Sequence, residues 1–422
     1  MNRTLYSLLW WLALPLVLAR LWWRGRHEPG YRSHLGERFG FYGRPLPERL
    51  TIMLHAVSVG ETRAAEPLVE ALLAGWPGCR ILLTHMTPTG RATGRALFER
   101  HGERVVQSWL PYDTGFMVGR FLRHFAPAAC ILMETEVWPN LLAGCRAHGV
   151  PVALVNARLS ERSLRRGQRF GRLMGDAARA ITLAAAQTEA DAARIRSLGA
   201  PDVRVTGSIK FDVVAPEAAL ATGAWLRAQC GQRPVLLCAS TREGEEALIL
   251  DAFQRMPSRP DGMLLAIVPR HPQRFDEVAR MAEARGLRLQ RRSGLADGVG
   301  DADVLLGDSM GEMFAYYAAC DCAFIGGSLL PLGGQNLIEA CAVGRPVLVG
   351  QHTFNFLLAT EDAVAAGAAL RVPDADELLR QGARLLDDAA LRERMGAHAL
   401  AFAGQHRGAT VRTVELLRQL IG

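Results

Sequence analysis

Residues 51–61 read TIMLHAVSVGE: a short apolar strand, then small residues, then a carboxylate. The stretch behind it, TRAAEPLVEALLAGW (62–76), has the apolar spacing of an amphipathic helix, and RILLTHMT (80–87) is a second strand. The alternation continues. AACILMETEVWPN (128–140) holds a third strand ending at acidic residues, and PVALVNARLS (151–160) holds a fourth. ITLAAAQTEADAARIRSLG (181–199) is a strand followed by a helix, and VRVTGSIKFD (203–212) closes the series. Strands alternating with helices predict a mostly parallel sheet covered on both faces.

VVAPEAALATG (213–223) reads as a linker, after which the pattern restarts. RPVLLCASTREGE (233–245), GMLLAIVPRHPQRF (262–275), LRLQRRS (287–293), DVLLGDSMGEMFAYYAAC (303–320) and CAFIGGSLLPLGGQNLIEACAVGRPVLVG (322–350) carry the second set of strands. A chain of 422 residues exceeds one ordinary core, so two doubly wound, Rossmann-like α/β domains are expected. The expected boundaries are 1–24 for an N-terminal anchor, 25–212 for the first domain and 213–422 for the second. The last helix is free to pack back on the first domain. In such sheets ligands bind beyond the carboxyl ends of the strands. SVGE, ETE, SIK, STREGE, PRHP, GDSMGE and GGQNLIE all fall there. Two domains of this kind facing a central cleft would resemble the GT-B arrangement of glycosyltransferases.

Composition narrows the partners. The chain is 49% hydrophobic and 22% charged, as a globular protein should be, and its net charge of +7 suits phosphates, acidic sugars or a membrane surface. Its arginines are spread along the chain without a recognition-helix or aromatic RNA-binding signature, so no nucleic-acid partner is expected. The eight cysteines lie mostly in apolar or alanine-rich runs without zinc-site spacing. Buried free thiols and a cytosolic body follow.

TLYSLLWWLALPLVLARLWWRGR (4–26) has no charge before Arg20. It is short for a spanning helix of about 20 apolar residues, although Arg20 could snorkel. Val17-Leu18-Ala19 would serve as a signal cleavage site, but Arg20, Arg24 and Arg26 follow at once and hold that side in the cytoplasm. Tryptophans 10, 11, 22 and 23 fit interfacial anchoring. The expectation is a membrane anchor, spanning or lying in the interface, with the rest of the chain cytoplasmic.

Several loop residues carry candidate chemistry. Glu61 stands where a strand gives way to a helix, as either a capping carboxylate or a general base for a sugar hydroxyl. Glu134 and Glu136 end an apolar strand, and one of them could cap the next helix. Lys210 is the only lysine among 49 basic residues. It is either a leftover of arginine-heavy usage or a compact point charge that a planar guanidinium cannot replace. Arg270 and His271, between prolines, suit a phosphate or carboxylate. In GGQNLIEACAVGRPVLVG (333–350) the glycines let backbone approach a ligand, Asn336 starts a helix whose free N–H groups favour an anion, and Glu339 can accept from ribose hydroxyls.

Together these loops resemble the bacterial 3-deoxy-D-manno-octulosonic acid (Kdo) transferases of lipid A assembly, which are membrane-anchored GT-B enzymes. The resemblance rests on LGERFGFY, HAVSVGE, MTPTG, LPYD, METEVWPN, NARLS, TGSIKFD, VPRHPQRF, GDSMGE, FIGGSL, GGQNLIEA and HTFNF, and covers nearly the whole chain. Where the family reads GGHNPLE this chain has Gln335 and Leu337, while Asn336 and Glu339 remain. The resemblance implies that Glu61 accepts a proton and that Glu134 and Lys210 stabilise the transition state. It implies CMP contacts from Pro269, Arg270, Met310, Gly311, Glu312, Asn336, Leu337, Ile338 and Glu339. The implied reaction is an inverting transfer of Kdo from CMP-Kdo to the tetraacylated lipid A precursor (lipid IVA), releasing CMP. The first domain would bind the acceptor and the second the CMP-sugar, at the cytoplasmic side of the inner membrane. No metal or cofactor is expected. A sugar-nucleotide epimerase and a membrane-tethered ligand sensor are the rival readings.

Overall fold

The computed structural model describes residues 1–44, 47–296, 298–405 and 407–421. The chain forms two compact units, Met1–Asp212 with Arg407–Gly422, and Val213–His406. Each is built on a seven-stranded sheet in which every paired strand is parallel.

In the first unit the strands are β1 (Thr51–His55), β2 (Arg80–His85), β3 (Val105–Trp109), β4 (Ala129–Met133), β5 (Val152–Ala157), β6 (Leu183–Ala186) and β7 (Val203–Val205). Their order is β3-β2-β1-β4-β5-β6-β7, so the winding reverses between β1 and β4. The central strands are buried on both faces, which explains their continuous apolar runs. One apolar layer joins Leu54, Ile81 and Ile131 to the helix Glu66–Gly75, and the other joins Met53, Leu82 and Leu132 to Phe121 and Leu142.

Two details differ from the sequence reading. β3 adds an edge strand that the sequence pattern did not reveal, because its first three residues are only half-buried and alternate poorly. The helix expected over 62–76 is two, Val59–Ala64 and Glu66–Gly75, since Pro67 in the first turn of the second has no N–H to continue the ladder.

The second unit contains β8 (Val235–Thr241), β9 (Leu264–Pro269), β10 (Leu289–Arg291), β11 (Val304–Leu306), β12 (Cys322–Ile325), β13 (Val347–Val349) and β14 (Ala369–Arg371). The order β10-β11-β9-β8-β12-β13-β14 reverses between β8 and β12. The connecting segment is shorter than the linker read from sequence, because a helix, Glu217–Cys230, already begins behind Pro216.

The last helix, Ala409–Ile421, returns to the first unit, where Val414 and Leu417 join the layer under Glu66–Gly75. Asp212 accepts the N–H groups of Gly408 and Thr410 at that helix's start, and Arg412 donates to the Thr206 carbonyl at 2.9 and 2.7 Å. The helix therefore clamps both ends of TGSIKFD. All eight cysteines are free and buried.

The N-terminal helix, Arg3–His27, is long and apolar enough to cross a membrane.

Candidate active site

The winding reverses between β1 and β4, and in an open α/β sheet the carboxyl ends of the strands at such a point are the usual place for a ligand. Glu61 and Glu134 follow these two strands. Ser58 caps the helix Val59–Ala64, and Glu61 is the third residue of that helix. The Ser-x-x-Glu spacing is a capping-box pattern legible in sequence. Here Val57 N–H donates to Glu61 Oε2 at 2.8 Å, and Ser58 Oγ donates to Oε1 at 3.0 Å. Behind it, Thr87 Oγ1 donates to the Val57 carbonyl at 2.9 Å. The carboxylate thus has a fixed orientation and keeps further lone pairs. Burial pushes its pKa up, the charge of Glu134 adds to the rise, and the Val57 N–H and Lys210 oppose it. A raised carboxylate is a better proton acceptor. The capping and base readings are therefore compatible in one geometry.

Glu134 terminates β4 in a left-handed conformation, with φ +57°. Its N–H still donates to the Val155 carbonyl at 2.9 Å, so the sheet holds the residue in place. A non-glycine residue there costs about 1–3 kcal/mol and persists only under such constraint. The turn brings its Oε1 to 2.8 Å from Lys210 Nζ, with the two side chains 23% and 30% exposed. Glu136, two residues on, goes elsewhere. Its Oε2 accepts from Trp138 Nε1 at 2.9 Å. Burial, then the charges of Glu61 and Glu134, lift its pKa to about 7 against the Trp138 hydrogen bond. The two acids that the sequence left undistinguished now have different partners: an ammonium for Glu134, an indole for Glu136.

Lys210 rides on the short 3₁₀ turn Ile209–Phe211. The N–H of Ile209 donates to Asn156 Oδ1 at 3.1 Å. Asn156, fully buried on β5, has φ +51°, a region that asparagine tolerates better than most residues. The β5–β6 register shifts at this point. Asn156 was not among the residues singled out from sequence. Its position in NARLS was visible, but neither its backbone conformation nor its distant partner could be read there.

The second unit collects another set of residues at carboxyl ends. Glu245 is fully buried and accepts N–H groups from Arg242 (2.9 Å), Gly327 (2.6 Å) and Leu329 (3.0 Å). It ties the loop after β8 to the loop after β12. Glu246, also fully buried, pairs with Arg274 at 3.1 Å and accepts from Thr241 Oγ1 at 3.1 Å. This ion pair fixes the PRHPQR turn, in which Pro269 ends β9 and Arg270 N–H donates to the Thr241 carbonyl at 2.9 Å. Neither carboxylate was anticipated.

Met310 is 57% exposed, and Gly311 has φ +82°, which favours glycine. Glu312 receives Arg292 Nη2 at 3.0 Å and Ser309 Oγ at 2.5 Å, and the Arg292 guanidinium stacks 4.6 Å from the Trp225 ring centre. Asn336 precedes the helix Ile338–Ala342 instead of lying within it. Its Oδ1 accepts the Ile338 N–H at 3.0 Å, and its Nδ2 donates to Glu339 Oε1 at 3.1 Å. Leu337 and Ile338 point into the core, each 1% exposed, so only their backbone could meet a ligand. Among the described residues no group of three or more His, Cys, Asp or Glu is disposed to hold a metal ion.

Comparison with known proteins identifies the family. The family described as 3-Deoxy-D-manno-octulosonic-acid transferase (kdotransferase) matches residues 33–213. The 3-deoxy-D-manno-octulosonic acid transferase of Bordetella pertussis is 48% identical over all of both chains. The enzyme of that name from Haemophilus influenzae is 37% identical over 99% of this chain and 98% of its own. Among solved structures, the UDP-GlcNAc 2-epimerase from Neisseria meningitidis superposes with a TM-score of 0.57 at 15% identity, over 87% of this chain and all of its own, a likeness of fold alone.

Proposed function

The chain belongs to the 3-deoxy-D-manno-octulosonic-acid transferase family, and on that premise we propose that it moves Kdo from CMP-Kdo to a hydroxyl of the lipid A precursor lipid IVA. It is a Kdo transferase by family. The donor, the acceptor, the stereochemistry and the individual residue roles are the proposal. The observation that carries it is the grouping at the first unit's winding reversal: a half-buried, oriented Glu61 with raised pKa beside a preformed Glu134–Lys210 pair.

In this reading the first unit holds the acceptor. Its hydroxyl oxygen attacks the anomeric carbon of Kdo while Glu61 takes the hydroxyl proton. A C–O bond forms on one face of that carbon, and the bond to the CMP phosphate breaks on the other, inverting the configuration. The departing electron pair stays on the phosphate oxygen. Lys210, oriented by Glu134, sets a fixed positive charge against the developing anion, and a preorganised dipole pair of this kind needs no rearrangement during the reaction. The second unit holds the nucleotide through Pro269, Arg270, Met310, Gly311, Glu312, Asn336 and Glu339, with Leu337 and Ile338 contributing backbone only. The protein works at the cytoplasmic side of the inner membrane, held by its N-terminal helix.

The test is a purified-enzyme assay. CMP release that depends on added lipid IVA, together with a lipid product heavier by one or more Kdo residues in mass spectrometry, supports the proposal. Acceptor-independent CMP release, or an unchanged lipid mass, would refute it.

A further inference from the structure

The helix Arg3–His27 is held to the first unit near its start and, through the turn that follows it, near its end. Tyr6, Trp10, Ala13, Val17 and Leu21 recur at three- and four-residue spacing and are half-buried, which puts them on one face. Leu5, Leu8, Leu12, Leu16 and Trp23 lie on the opposite side and are exposed, Leu12 by 67% and Leu16 by 74%. A helix standing free of the body would show no such contrast.

Both ends are tied down. Near the start, Tyr6 OH donates to Asp113 Oδ2 at 2.9 Å, and Ser7 Oγ exchanges hydrogen bonds with the Asn140 amide at 3.0 and 3.2 Å. Asp113 is buried and also accepts the N–H groups of Asn140 and Leu141, so this anchor point is itself fixed. Near the end, Arg32 folds back to donate to the Trp22 carbonyl at 2.7 Å, and its guanidinium lies 3.9 Å from the Trp22 ring centre. The same turn is seated on the body. Tyr31 is buried, Gly30 lies so close to Pro88 that a Cβ would come within 2.7 Å, and the Ser33 carbonyl accepts from Trp109 Nε1 at 2.9 Å. Pro88 follows β2, Trp109 ends β3, Asp113 follows β3 and Asn140 follows β4. All four stand at the carboxyl edge of one parallel sheet.

A helix of 25 residues is about 37 Å long and could cross a hydrocarbon core of about 30 Å. Crossing would put its first and last turns on opposite sides of the membrane. Here the first turns bind that edge directly, and the last turn is held to the same edge through the turn Pro29–Arg32. We infer that the N-terminal helix lies in the plane of the membrane surface along the carboxyl edge of the first unit and does not cross the bilayer. Its outward leucines and tryptophan enter the headgroup–acyl boundary, and Arg20, Arg24 and Arg26 reach the headgroups. Glu61 and Glu134 stand at that same edge, so a lipid acceptor can meet the reacting groups without leaving its leaflet. The inference rests on the helix being membrane-bound, which belongs to the functional reading above.

The buried native cysteines leave a quiet background for labelling. Asn2→Cys, at the exposed start of the helix, and Glu48→Cys, on an exposed loop of the first unit, are made separately in the full chain. Each is treated with a membrane-impermeant maleimide in sealed inside-out and right-side-out vesicles. Both cysteines labelled from the same side support the in-plane helix. Labelling of Asn2→Cys from the opposite side overturns it and leaves the transfer reaction untouched. A protease-cleavable tag ahead of Met1 reads the same sidedness should the cysteine be shielded, and cleavage from the side opposite Glu48→Cys likewise overturns it. Recovery of the full chain in the soluble fraction of lysed cells would instead sink the anchor itself, and the inference with it.

Discussion

The carboxyl edges of the two sheets both carry clustered glutamates, and they use them in opposite ways. In the second unit Glu245 and Glu246 are fully buried and saturated: three backbone N–H groups surround one, and an arginine with a threonine hydroxyl holds the other. In the first unit Glu61, Glu134 and Glu136 are only partly buried, burial and then the neighbouring carboxylates push the pKa values of Glu61 and Glu136 up, and Lys210 pairs with just one of the three. A buried carboxylate surrounded by donors stabilises loops. Crowded carboxylates beside one ammonium are costly to keep, and such arrangements concentrate where proton transfer or charge development must be served. On the proposed function, the second unit's pair serves architecture and the first unit's group serves the reaction.

Glu61→Gln and Glu245→Ala probe that contrast most strongly. Glu61→Gln is expected to lower turnover by about 10²- to 10⁴-fold with little change in melting temperature, as measured by acceptor-dependent CMP release and calorimetry. Glu245→Ala leaves three buried N–H groups without an acceptor and should cost about 3 kcal/mol or more, lowering the melting temperature by roughly 6–12 °C. Near-normal turnover in Glu61→Gln, or an unshifted melting curve in Glu245→Ala, breaks the comparison.

Lys210 comes next. Lys210→Ala should lose about 10²- to 10³-fold in turnover, the usual effect of removing a positioned electrostatic stabiliser. Lys210→Arg should recover only part of this, because a planar fork cannot place its charge where a compact ammonium sat against Glu134. Full activity in Lys210→Ala would remove the ammonium from the reaction.

Asn156→Gly separates position from fold. Glycine accepts φ +51° without strain but offers no oxygen to the Ile209 N–H, so the Lys210 turn loses its tether. Turnover should fall by about 10- to 100-fold, the scale of an ångström-level displacement, while Asn156→Asp, which keeps the acceptor, recovers most of it. Equal losses in both variants, matched by equal losses of melting temperature, would make Asn156 a packing residue only.

The smallest expected effect is a shift in pH dependence. Glu136 has a pKa raised from the ordinary 4.5 to about 7, so the stability it forfeits is absent below that ordinary value, grows as pH rises toward 7 and is complete above it. Glu136→Gln should therefore gain more in melting temperature over wild type at pH 8 than at pH 5. An advantage of the same size at both pH values would show that the Glu136 carboxyl is not held neutral by its surroundings.

Much of the architecture was legible because burial on both faces of a parallel strand writes a continuous apolar run, and β1, β2, β4, β5, β8 and β9 all do so. β3, half-buried at the edge, wrote too little. The Ser58–Glu61 cap is local and could be read from its spacing. Leu337 and Ile338 stand in a glycine-rich loop, yet their side chains turn inward, because the helix behind them needs apolar residues to seat it.

The sequence by itself determined the two α/β units, the apolar N-terminal helix and the loops that carry the chemistry, since each follows from periodicity and from residue types within one or two turns of chain. Only the tertiary structure decided that Lys210 pairs with Glu134 and leaves Glu136 to Trp138, that Asn156 tethers the lysine turn, and that the last helix closes over it. Apart from the short-range Glu136–Trp138 bond, these are meetings of residues remote in sequence, with Glu134 and Asn156 at backbone angles no local preference dictates. They exist because the sheet over-determines the position of each strand end, and a rigid edge can hold a strained turn or an isolated ammonium where a free chain could not.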